Sequence, residues 1–414
     1  MTQTLNRAAT VNLGGYNPAT PLKPAHPSVV VDAGMTWAEL HHVLLPHGLA
    51  PLVQQSSADF SIGGAVSVNC HGRDPRWGPI GNTVRWLDVL CGDGAVRRTS
   101  ATVEADLFAA VVGGYGSCGL ILRACLELGP NRVLDPVVHR LDLDKYAVHL
   151  NKLAARADDD SKRVQLHHGW FRCVDLVSLF DEVHVVDCKE VNSPQADTVG
   201  PLPHEEWGMT EVLRAAWDES RKGYGALRAE MWDMVMKTAS RRQVGRMSLQ
   251  RPAMGFAAHR GAAGCDILQE YFVPLNVFLP LVEGLRDIFR RNVAPHAPVT
   301  ILSASARLLP RDRHPINLSY CPAGDQPMVS LAVEAAIGVH PASREPDAEV
   351  SQWATAAMDL AHSLGGSYYL PYFGFADRDR FRRSYVNWQR QADAIARYDP
   401  QRRFSNQFLQ RYCF

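Results

Sequence analysis

The chain has 414 residues, more than one ordinary hydrophobic core organises, so we expect two domains or one domain with a large insertion. Hydrophobic residues make up 46% and charged residues 21%, as in ordinary globular proteins, and 43 basic residues balance 43 acidic ones. A net charge of zero excludes whole-molecule attraction to nucleic acid or anionic lipid, so small molecules or protein are the expected partners.

The nine cysteines are scattered, odd in number, and form no C-x-x-C pair. This pattern favours a reducing compartment, so we predict a cytoplasmic location and neither a disulfide framework nor a zinc site. The first 27 residues contain four prolines and no apolar core of a signal peptide, which predicts an irregular segment without strand or helix. No apolar run reaches the length of a membrane span.

Short elements are predicted at the start of the chain. The run Val29–Gly34 predicts a buried strand and a turn, and Thr36 is placed to cap a helix over 37–45 with Glu39 at its third position. The run Ile62–Val68 is compatible with a strand or a short helix, because periodicity does not separate the two for small residues. Asp93-Gly94 between two apolar runs predicts a hairpin over 84–99.

Two glycine clusters, Gly63-Gly64 and Gly113–Gly119, each adjoin an apolar run. They are typical of places where the backbone approaches a ligand that side chains would exclude. The second cluster satisfies G-x-G-x-x-G over 114–119, but a predicted helix over 104–112 precedes it and a predicted strand over 120–128 follows. That order is the reverse of the dinucleotide fingerprint, so we do not predict a nicotinamide-binding Rossmann fold.

His71 follows the first glycine cluster within Asn-Cys-His-Gly. It is either a loop histidine bonded to backbone or a side chain at the ligand face that donates a hydrogen bond or moves a proton near neutral pH. Its place between two close backbone approaches favours the second interpretation.

Neither a metal site nor a serine hydrolase is predicted. The residues of the adjacent pairs His41-His42 and His167-His168 point to different sides of a helix or strand, and no H-E-x-x-H spacing occurs. The serine hydrolase motif G-x-S-x-G does not occur either.

The character of the sequence changes after Pro136, which predicts a domain boundary. A polar loop is expected over 191–207. The final segment opens with Gly365-Gly366 and an aromatic run, Tyr368–Phe373, that suits a flat ligand. A helix is predicted after it, over 377–388. The remaining helices are predicted over 141–155, within 210–242, over 276–290 and over 347–364. Strands are predicted as a pair within 167–179 and as single strands over 267–273, 299–308 and 328–338. This order predicts an α+β domain with an antiparallel sheet.

Taken together, the ordered motifs resemble the FAD-linked oxidases of the vanillyl-alcohol oxidase and p-cresol methylhydroxylase superfamily. The first half matches in Val31–Gly34, Ile62–Gly64, His71-Gly72, the Asp93-Gly94 hairpin and Gly113–Gly116. The second half is similar to the aldonolactone oxidase and decaprenylphosphoryl-ribose oxidase branch in Gln269–Pro274, Arg307-Leu308, Tyr369–Tyr372 and Tyr398–Pro400. Each piece is weak alone, and the specificity lies in the ordered set, which covers residues 29–414.

The resemblance implies an α+β fold with a p-cresol methylhydroxylase-type FAD-binding domain, N-terminally shortened, and an α/β cap domain with an antiparallel sheet. It implies an irregular segment over 1–28, the second subdomain of the FAD-binding domain over 29–135, and a substrate or cap domain over 136–364. The C-terminal segment, 365–414, is expected to return to the FAD-binding domain.

The resemblance also implies FAD as cofactor and a small-molecule alcohol as substrate. The chemistry would be hydride transfer from the carbinol carbon of a sugar, polyol or related alcohol to the flavin, with a nearby base accepting the hydroxyl proton. The electron acceptor is not specified by these residues. The residues expected along the FAD are Ser61, Ile62, Gly63, Gly64, Val68, Asn69, Cys70, His71, Gly116, Ile121 and Tyr369. The residues expected at the substrate face are His71, Glu270, Arg307, Glu334 and Tyr372.

Two departures from the family pattern stand out. Tyr372 occupies the position at which decaprenylphosphoryl-ribose oxidases place a lysine. Only 28 residues precede Val29, where the family carries a subdomain of roughly a hundred residues with an Arg/Gly-rich pyrophosphate loop and the histidine that attaches flavin covalently. No cysteine stands just before Gly63-Gly64 either, so non-covalent FAD is expected.

Three explanations of that short N-terminal part stay open at this point. The chain is a shortened relative, or a partner chain completes it, or it no longer binds FAD well. The alternative function is therefore a cofactor-poor or partner-dependent relative that keeps the fold without independent catalysis.

Overall fold

The computed structural model describes residues 10–12, 27–56, 58–155, 164–191, 229–230, 232–233, 244–250, 260–261, 264–292, 299–338, 348–372 and 374–413. The strands are β1 Thr10–Asn12, β2 Ser28–Asp32, β3 Leu49–Pro51, β4 Val84–Leu90, β5 Val96–Thr99, β6 Leu120–Pro130, β7 Val133–Asp142, β8 Val164–Phe171, β9 Glu182–Glu190, β10 Val244–Gly245, β11 Arg260–Gly261, β12 Gly264–Pro274, β13 Val299–Leu309, β14 Met328–Gly338 and β15 Ser367–Tyr368. The helices are α1 Trp37–Leu44, α2 Ile62–Ser67, α3 Ala105–Val111, α4 Leu143–Ala155, α5 Arg246–Gln250, α6 Phe278–Asn292, α7 Ala348–Ser363, α8 Arg378–Ser384 and α9 Trp388–Tyr398.

Local signals in the sequence explain where the first helices begin. Thr36 accepts a hydrogen bond from the Glu39 backbone while the Glu39 carboxylate accepts one from the Thr36 backbone, so the predicted capping box starts α1. The ambiguous run after Ser61 is a helix, α2, because the Ser61 hydroxyl accepts from the Gly64 amide and fixes the first turn.

The first sheet has six strands in the order β1-β2-β6-β4-β5, with β3 paired to β6, and all of these pairs are antiparallel. Its core includes Trp37 and Leu40 of α1, Phe108 of α3, and Ile395 of α9. The predicted hairpin forms between β4 and β5, and α3 and β6 flank the second glycine cluster in the order expected from the sequence. The N-terminal segment departs from expectation, because β1 is a strand that pairs with β2.

The second sheet has nine strands in the order β10-β7-β9-β8-β13-β14-β12-β11, with β15 paired to β12. The described pairs are antiparallel, as predicted. Helices α4, α6 and α7 cover one face and bury a large apolar core there, with Tyr146, Phe289 and Trp353 among its fully buried side chains. Glu270, Ser330 and Arg307 share one face of this sheet by register, and Glu270 contacts His71 in the segment after α2.

The C-terminal residues pack on the first sheet. The Gly92 amide donates to the Tyr398 carbonyl, and the Asp399 carboxylate accepts from the backbone amides of Arg403 and Phe404. A Cβ at Gly92 would lie 2.2 Å from Asp399 Oδ1, so only glycine permits this contact. The turn of the β4–β5 hairpin therefore packs directly against Tyr398 and Asp399.

Two sequence predictions about the second half are wrong in detail. Residues 167–179 do not form a strand pair, because β8 ends at Phe171 and its partner β9 begins at Glu182. The residues between them form a loop in which Phe180 and Leu179 are buried and Val177 is exposed, and the carbonyls of Leu176 and Leu179 accept hydrogen bonds from arginines of α6.

The expected helix over 377–388 is divided, since α8 ends at Ser384 and α9 begins at Trp388. Tyr385 leaves the helical conformation between them, with its ring buried and its hydroxyl donating to the Tyr368 carbonyl. The polar loop predicted over 191–207 lies outside the described residues beyond position 191, as do nearly all of residues 210–242. Within the described part of the chain, no helix has the length and apolarity needed to cross a membrane.

Candidate functional site

The two glycine clusters meet at α2. The Gly113 amide donates to the Val66 carbonyl at 3.0 Å, and the Tyr115 amide donates to the Ser67 carbonyl at 2.9 Å. A Cβ at Gly63 would lie 2.6 Å from the Ala33 Cβ, so this glycine allows α2 to pack against the turn after β2. The clusters therefore form one continuous wall rather than two separate loops.

Only part of that wall is open to a ligand. Gly64 is exposed, and a Cβ there would meet nothing but the Ser61 hydroxyl within 4 Å. Gly116 has φ +70° and open space around it, whereas Cβ atoms at Gly114 and Gly119 would strike protein backbone at 1.8 and 2.7 Å. Gly63, Gly114 and Gly119 are thus explained by packing within the protein, whereas Gly64 and Gly116 leave backbone open to a ligand, and we call this part of the wall the open cradle.

Ile62 of α2 and the residues that follow this helix turn their side chains into the protein. The Ile62 and Cys70 side chains belong to the core of the first sheet, and burial raises the pKa of the Cys70 thiol to about 12. Asn69 has φ +48°, and its Oδ1 accepts from the Gly81 amide at 2.9 Å. These three residues can approach a cofactor only through their backbone. Ile121 is half-buried on β6, beside the exposed Leu120.

His71, in the segment after α2, and Glu270 of β12 form a buried pair. His71 Nε2 lies 2.9 Å from Glu270 Oε1, and each side chain is 3% exposed. The rings of Phe272, Tyr320 and Tyr369 surround the imidazole, with centroids 5.6 to 6.0 Å away. Tyr369 connects β12 to the segment after α2, because its backbone amide donates to the Glu270 carbonyl and its hydroxyl donates to the Val68 carbonyl at 2.9 Å.

Strand register brings Arg307 to the same side of the second sheet as Glu270. Phe272 pairs with Ser330, Ser330 pairs with Arg307, and Glu270 lies two residues from Phe272 on the same face. Burial alone would raise the pKa of Glu270, but His71 and Arg307 outweigh it and hold that pKa below its usual value. The carboxylate is therefore ionised at neutral pH.

Tyr372 lies beside the same carboxylate. Burial and the neighbouring negative charge of Glu270 raise the pKa of Tyr372 well above its usual value, so the phenol stays protonated and can donate a hydrogen bond. A guanidinium, a neutral phenol and the buried His71–Glu270 pair thus lie together, and we call this group the Glu270 cluster: His71, Glu270, Arg307 and Tyr372.

Glu334, the remaining residue predicted at the substrate face, lies farther along β14. Its register partners are Leu268 and Ser303, and its carboxylate accepts from the Ser303 hydroxyl at 3.3 Å. It shares the face of the Glu270 cluster at the next position along the sheet. Arg307, Glu334 and Tyr372 are partly exposed, whereas His71 and Glu270 are buried.

Several residues at this site were not identified from the sequence. The Ser56 hydroxyl accepts from Arg307 at 2.8 Å, and Tyr320 packs on the His71 ring. His168 follows the Gly169–Ala306 pair of β8 and β13 and lies close to Arg307. Among the described residues, its Nδ1 and Oε1 of Gln55 are buried without a hydrogen-bond partner. Buried polar atoms that lack partners in the protein are atoms a bound ligand can satisfy. No motif marks these positions, since they meet only through tertiary contacts.

Asp312 was also missed, and it supports the segment that carries His71. The side-chain amide of Asn69 donates through Nδ2 to Asp312 Oδ1 at 3.5 Å, and the Ser319 hydroxyl donates to Oδ2. Burial raises the pKa of Asp312 to about 7, against weaker lowering by those two hydrogen bonds. A neutral carboxylic acid therefore occupies this position at slightly acidic pH.

Comparison with known proteins places a cofactor domain at the start of the chain. Residues 2–100 match a protein family described as FAD binding domain. Decaprenylphosphoryl-beta-D-ribose oxidase of Mycolicibacterium smegmatis is 41% identical over 104 residues, which are 25% of this chain and 23% of that protein. Cytokinin dehydrogenase 4 of Oryza sativa subsp. japonica is 36% identical over 107 residues, which are 26% of this chain and 20% of that protein.

A further relative, cytokinin dehydrogenase 3 of Arabidopsis thaliana, is 36% identical over 107 residues, again 20% of its length. The chain thus spans less than a quarter of the length of these curated relatives. The resemblance to FAD-linked oxidases and the assignment of FAD as cofactor are confirmed, and the matched family region begins well before the predicted start at Val29.

Proposed function

We propose that this chain, a relative of the FAD-linked oxidases of the vanillyl-alcohol oxidase and p-cresol methylhydroxylase superfamily, oxidises an alcohol group of a sugar, polyol or related small molecule. The observation that supports it most directly is the buried His71–Glu270 pair, 2.9 Å apart, where the glycine wall meets the second sheet. The relative from Mycolicibacterium smegmatis is named for oxidation of a ribose derivative, which favours the same class of substrate.

FAD would lie along the open cradle at Gly64 and Gly116, with the backbone of Val68–His71 beside it. Bound there, FAD supplies the two-electron acceptor that removes hydride from the carbinol carbon. The protein's own contribution is to position the alcohol and to take its hydroxyl proton. Tyr369 holds the backbone of both sides of this site through its amide and its hydroxyl.

Proton acceptance is assigned to the His71–Glu270 pair by elimination within the Glu270 cluster. Arg307 is a cation, and the raised pKa of Tyr372 keeps its phenol protonated, so neither accepts a proton at neutral pH. In the proposed step Nε2–H of His71 donates to Oε1 of Glu270, Nδ1 of His71 takes the hydroxyl proton of the alcohol, and the ionised carboxylate stabilises the imidazolium that forms. Arg307 and Tyr372 donate hydrogen bonds to the substrate oxygen and orient it.

The proposal is tested by flavin reduction without oxygen. The purified chain is saturated with FAD and mixed anaerobically with panels of sugars, polyols and cytokinins, and the flavin band at about 450 nm is followed. Bleaching by a sugar or polyol is expected. Bleaching by cytokinins alone would contradict the alcohol assignment, and a cofactor that binds but is reduced by neither panel would contradict both.

The role of His71 is tested by His71→Ala, with the exposed His47→Ala as matched control. Loss of the proton acceptor should slow flavin reduction about 100-fold or more, while the affinity for FAD changes by less than about threefold. His47→Ala should behave like the unmodified chain. Equal losses of reduction rate and FAD affinity in His71→Ala would instead assign His71 to holding the cofactor.

A further inference from the structure

Three histidines and an aspartate converge on the helix-covered face of the second sheet, away from the Glu270 cluster. His139 is on β7, His149 on α4, His167 on β8 and Asp187 on β9. His167 and His168 are neighbours on a strand, so His168 faces the Glu270 cluster while His167 points to the opposite face. We call this second group the Asp187 cluster.

The distances within the Asp187 cluster are those of a small coordination sphere. Asp187 Oδ1 lies 2.8 Å from His167 Nδ1, and Asp187 Oδ2 lies 2.9 Å from His149 Nε2. One ligand atom from each of these three residues lies within 4.8 Å of the other two. His139 Nε2 lies 3.9 Å from Asp187 Oδ2.

We propose that His149, His167 and Asp187 bind a divalent transition metal ion of the zinc type, with His139 as the fourth ligand. A tetrahedral zinc ion about 2.1 Å from each ligand atom separates those atoms by about 3.4 Å, so the observed spacing needs only small side-chain rotations. Two or three imidazoles with one carboxylate suit zinc, cobalt or nickel, and they do not suit magnesium or calcium, which take oxygen ligands.

The surroundings of the ligands suit a metal ion. His149 Nε2 is buried 2.9 Å from the Asp187 carboxylate, and within the described residues it has no well-aligned hydrogen bond. His167 Nε2 lies 3.2 Å from the Tyr146 hydroxyl, whose oxygen can accept a hydrogen bond from Nε2–H when Nδ1 binds the metal. Such an outer partner for the second ring nitrogen is usual for metal-binding histidines.

The site has an entry path and a structural consequence. His167 and Asp187 are nearly inaccessible, whereas the side chains of His149 and His139 are 25% and 42% exposed, so an ion can arrive from solvent and be enclosed. Four protein ligands leave no open position, which is the arrangement of structural zinc sites. The bound ion would join α4 to β7, β8 and β9 and stabilise the packing of this helix on the sheet.

The test uses the full, untagged chain, so that no added histidines bind metal. After incubation with zinc and extensive dialysis, elemental analysis should find about one zinc ion per chain, and zinc should raise the Tm relative to chelator-treated protein. His149→Ala should lose at least about tenfold in zinc affinity and lose the zinc-dependent rise in Tm. His47→Ala, at an exposed histidine elsewhere, should retain both.

A second measurement on the unmodified chain covers the case in which a variant fails to fold. Cobalt added to metal-free protein should give the visible absorption of a tetrahedral Co²⁺ site, and stoichiometric zinc should displace it. No retained zinc together with no tetrahedral cobalt spectrum would overturn the proposal. So would equal zinc content in folded His149→Ala and the unmodified chain, since the ion would then bind elsewhere. None of these readouts depends on FAD or on catalysis.

Discussion

Replacing Asp312 with asparagine should make the protein more stable at neutral and alkaline pH. Asp312 is buried and its pKa is raised from 3.8 to about 7, mainly because burial disfavours the charged carboxylate. Asparagine stays neutral at every pH and can still accept the hydrogen bond from Asn69, while the Ser319 hydroxyl can rotate to suit the amide. The Asn69–His71 segment should therefore keep its conformation.

The size of the effect follows from the difference in pKa between the folded and unfolded chain. The folded chain binds more protons than the unfolded chain between pH 4 and pH 7, so the contribution of Asp312 to stability is fully present below pH 4 and is lost as pH rises towards 7. About three pKa units at 1.4 kcal/mol each give a loss of about 4 kcal/mol, an upper limit that local rearrangement reduces. Asp312→Asn removes this loss.

The assay is urea unfolding of both proteins from pH 4.5 to 8.5, with the exposed Asp325→Asn as matched control. The variant should gain stability relative to the unmodified chain as pH rises, by a few kcal/mol over the range, while Asp325→Asn should run parallel to the unmodified chain. Parallel curves for Asp312→Asn would refute the reasoning, because they would mean that Asp312 titrates alike in the folded and unfolded chain.

Further predictions concern packing and charge. Gly92→Ala should lower the free energy of unfolding by about 1–3 kcal/mol, since its Cβ would meet Asp399 at 2.2 Å, whereas Gly34→Ala, with no atom within 4 Å, should be tolerated in thermal melts. Asp74→Ala should cost about 3–5 kcal/mol, because it leaves the buried Arg246 guanidinium, 2.9 Å away, without its carboxylate. The exposed Asp93→Ala should leave the Tm nearly unchanged, and similar losses in both aspartate variants would show that burial of the pair is not what matters.

The sequence predicted most elements of the fold whose signals are local. The capping box of Thr36 and Glu39, the Asp93-Gly94 hairpin and the long strand 328–338 form as expected, because each depends on neighbouring residues. The predicted order of helix, glycine cluster and strand is also confirmed, and that strand, β6, pairs antiparallel with its neighbours. Predictions were wrong where tertiary contacts decide, as in the loop after Phe171, whose carbonyls accept hydrogen bonds from arginines of α6.

The candidate sites were accessible from sequence to different degrees. His71 was suggested by its place between the glycine clusters, and Glu270, Arg307 and Tyr372 only by the ordered resemblance. The structure brings the four together, although their mutual contacts could not be read from motifs. The Asp187 cluster could not be predicted, because its members come from four elements and follow no metal-binding spacing. The adjacent pair His167-His168 had even argued against a metal site, and the two residues indeed face opposite sides of the sheet, so that only His167 joins the cluster.

The most direct test of the central account is whether this chain binds FAD at the wall formed by the two glycine clusters. The purified chain is mixed with FAD, freed of unbound cofactor by gel filtration and examined for the flavin band at about 450 nm, beside a Gly116→Val variant that fills the open cradle. The account predicts that the band elutes with the unmodified chain and is lost or strongly reduced in the variant. A colourless chain after addition of FAD, or equal flavin on both proteins, would contradict it.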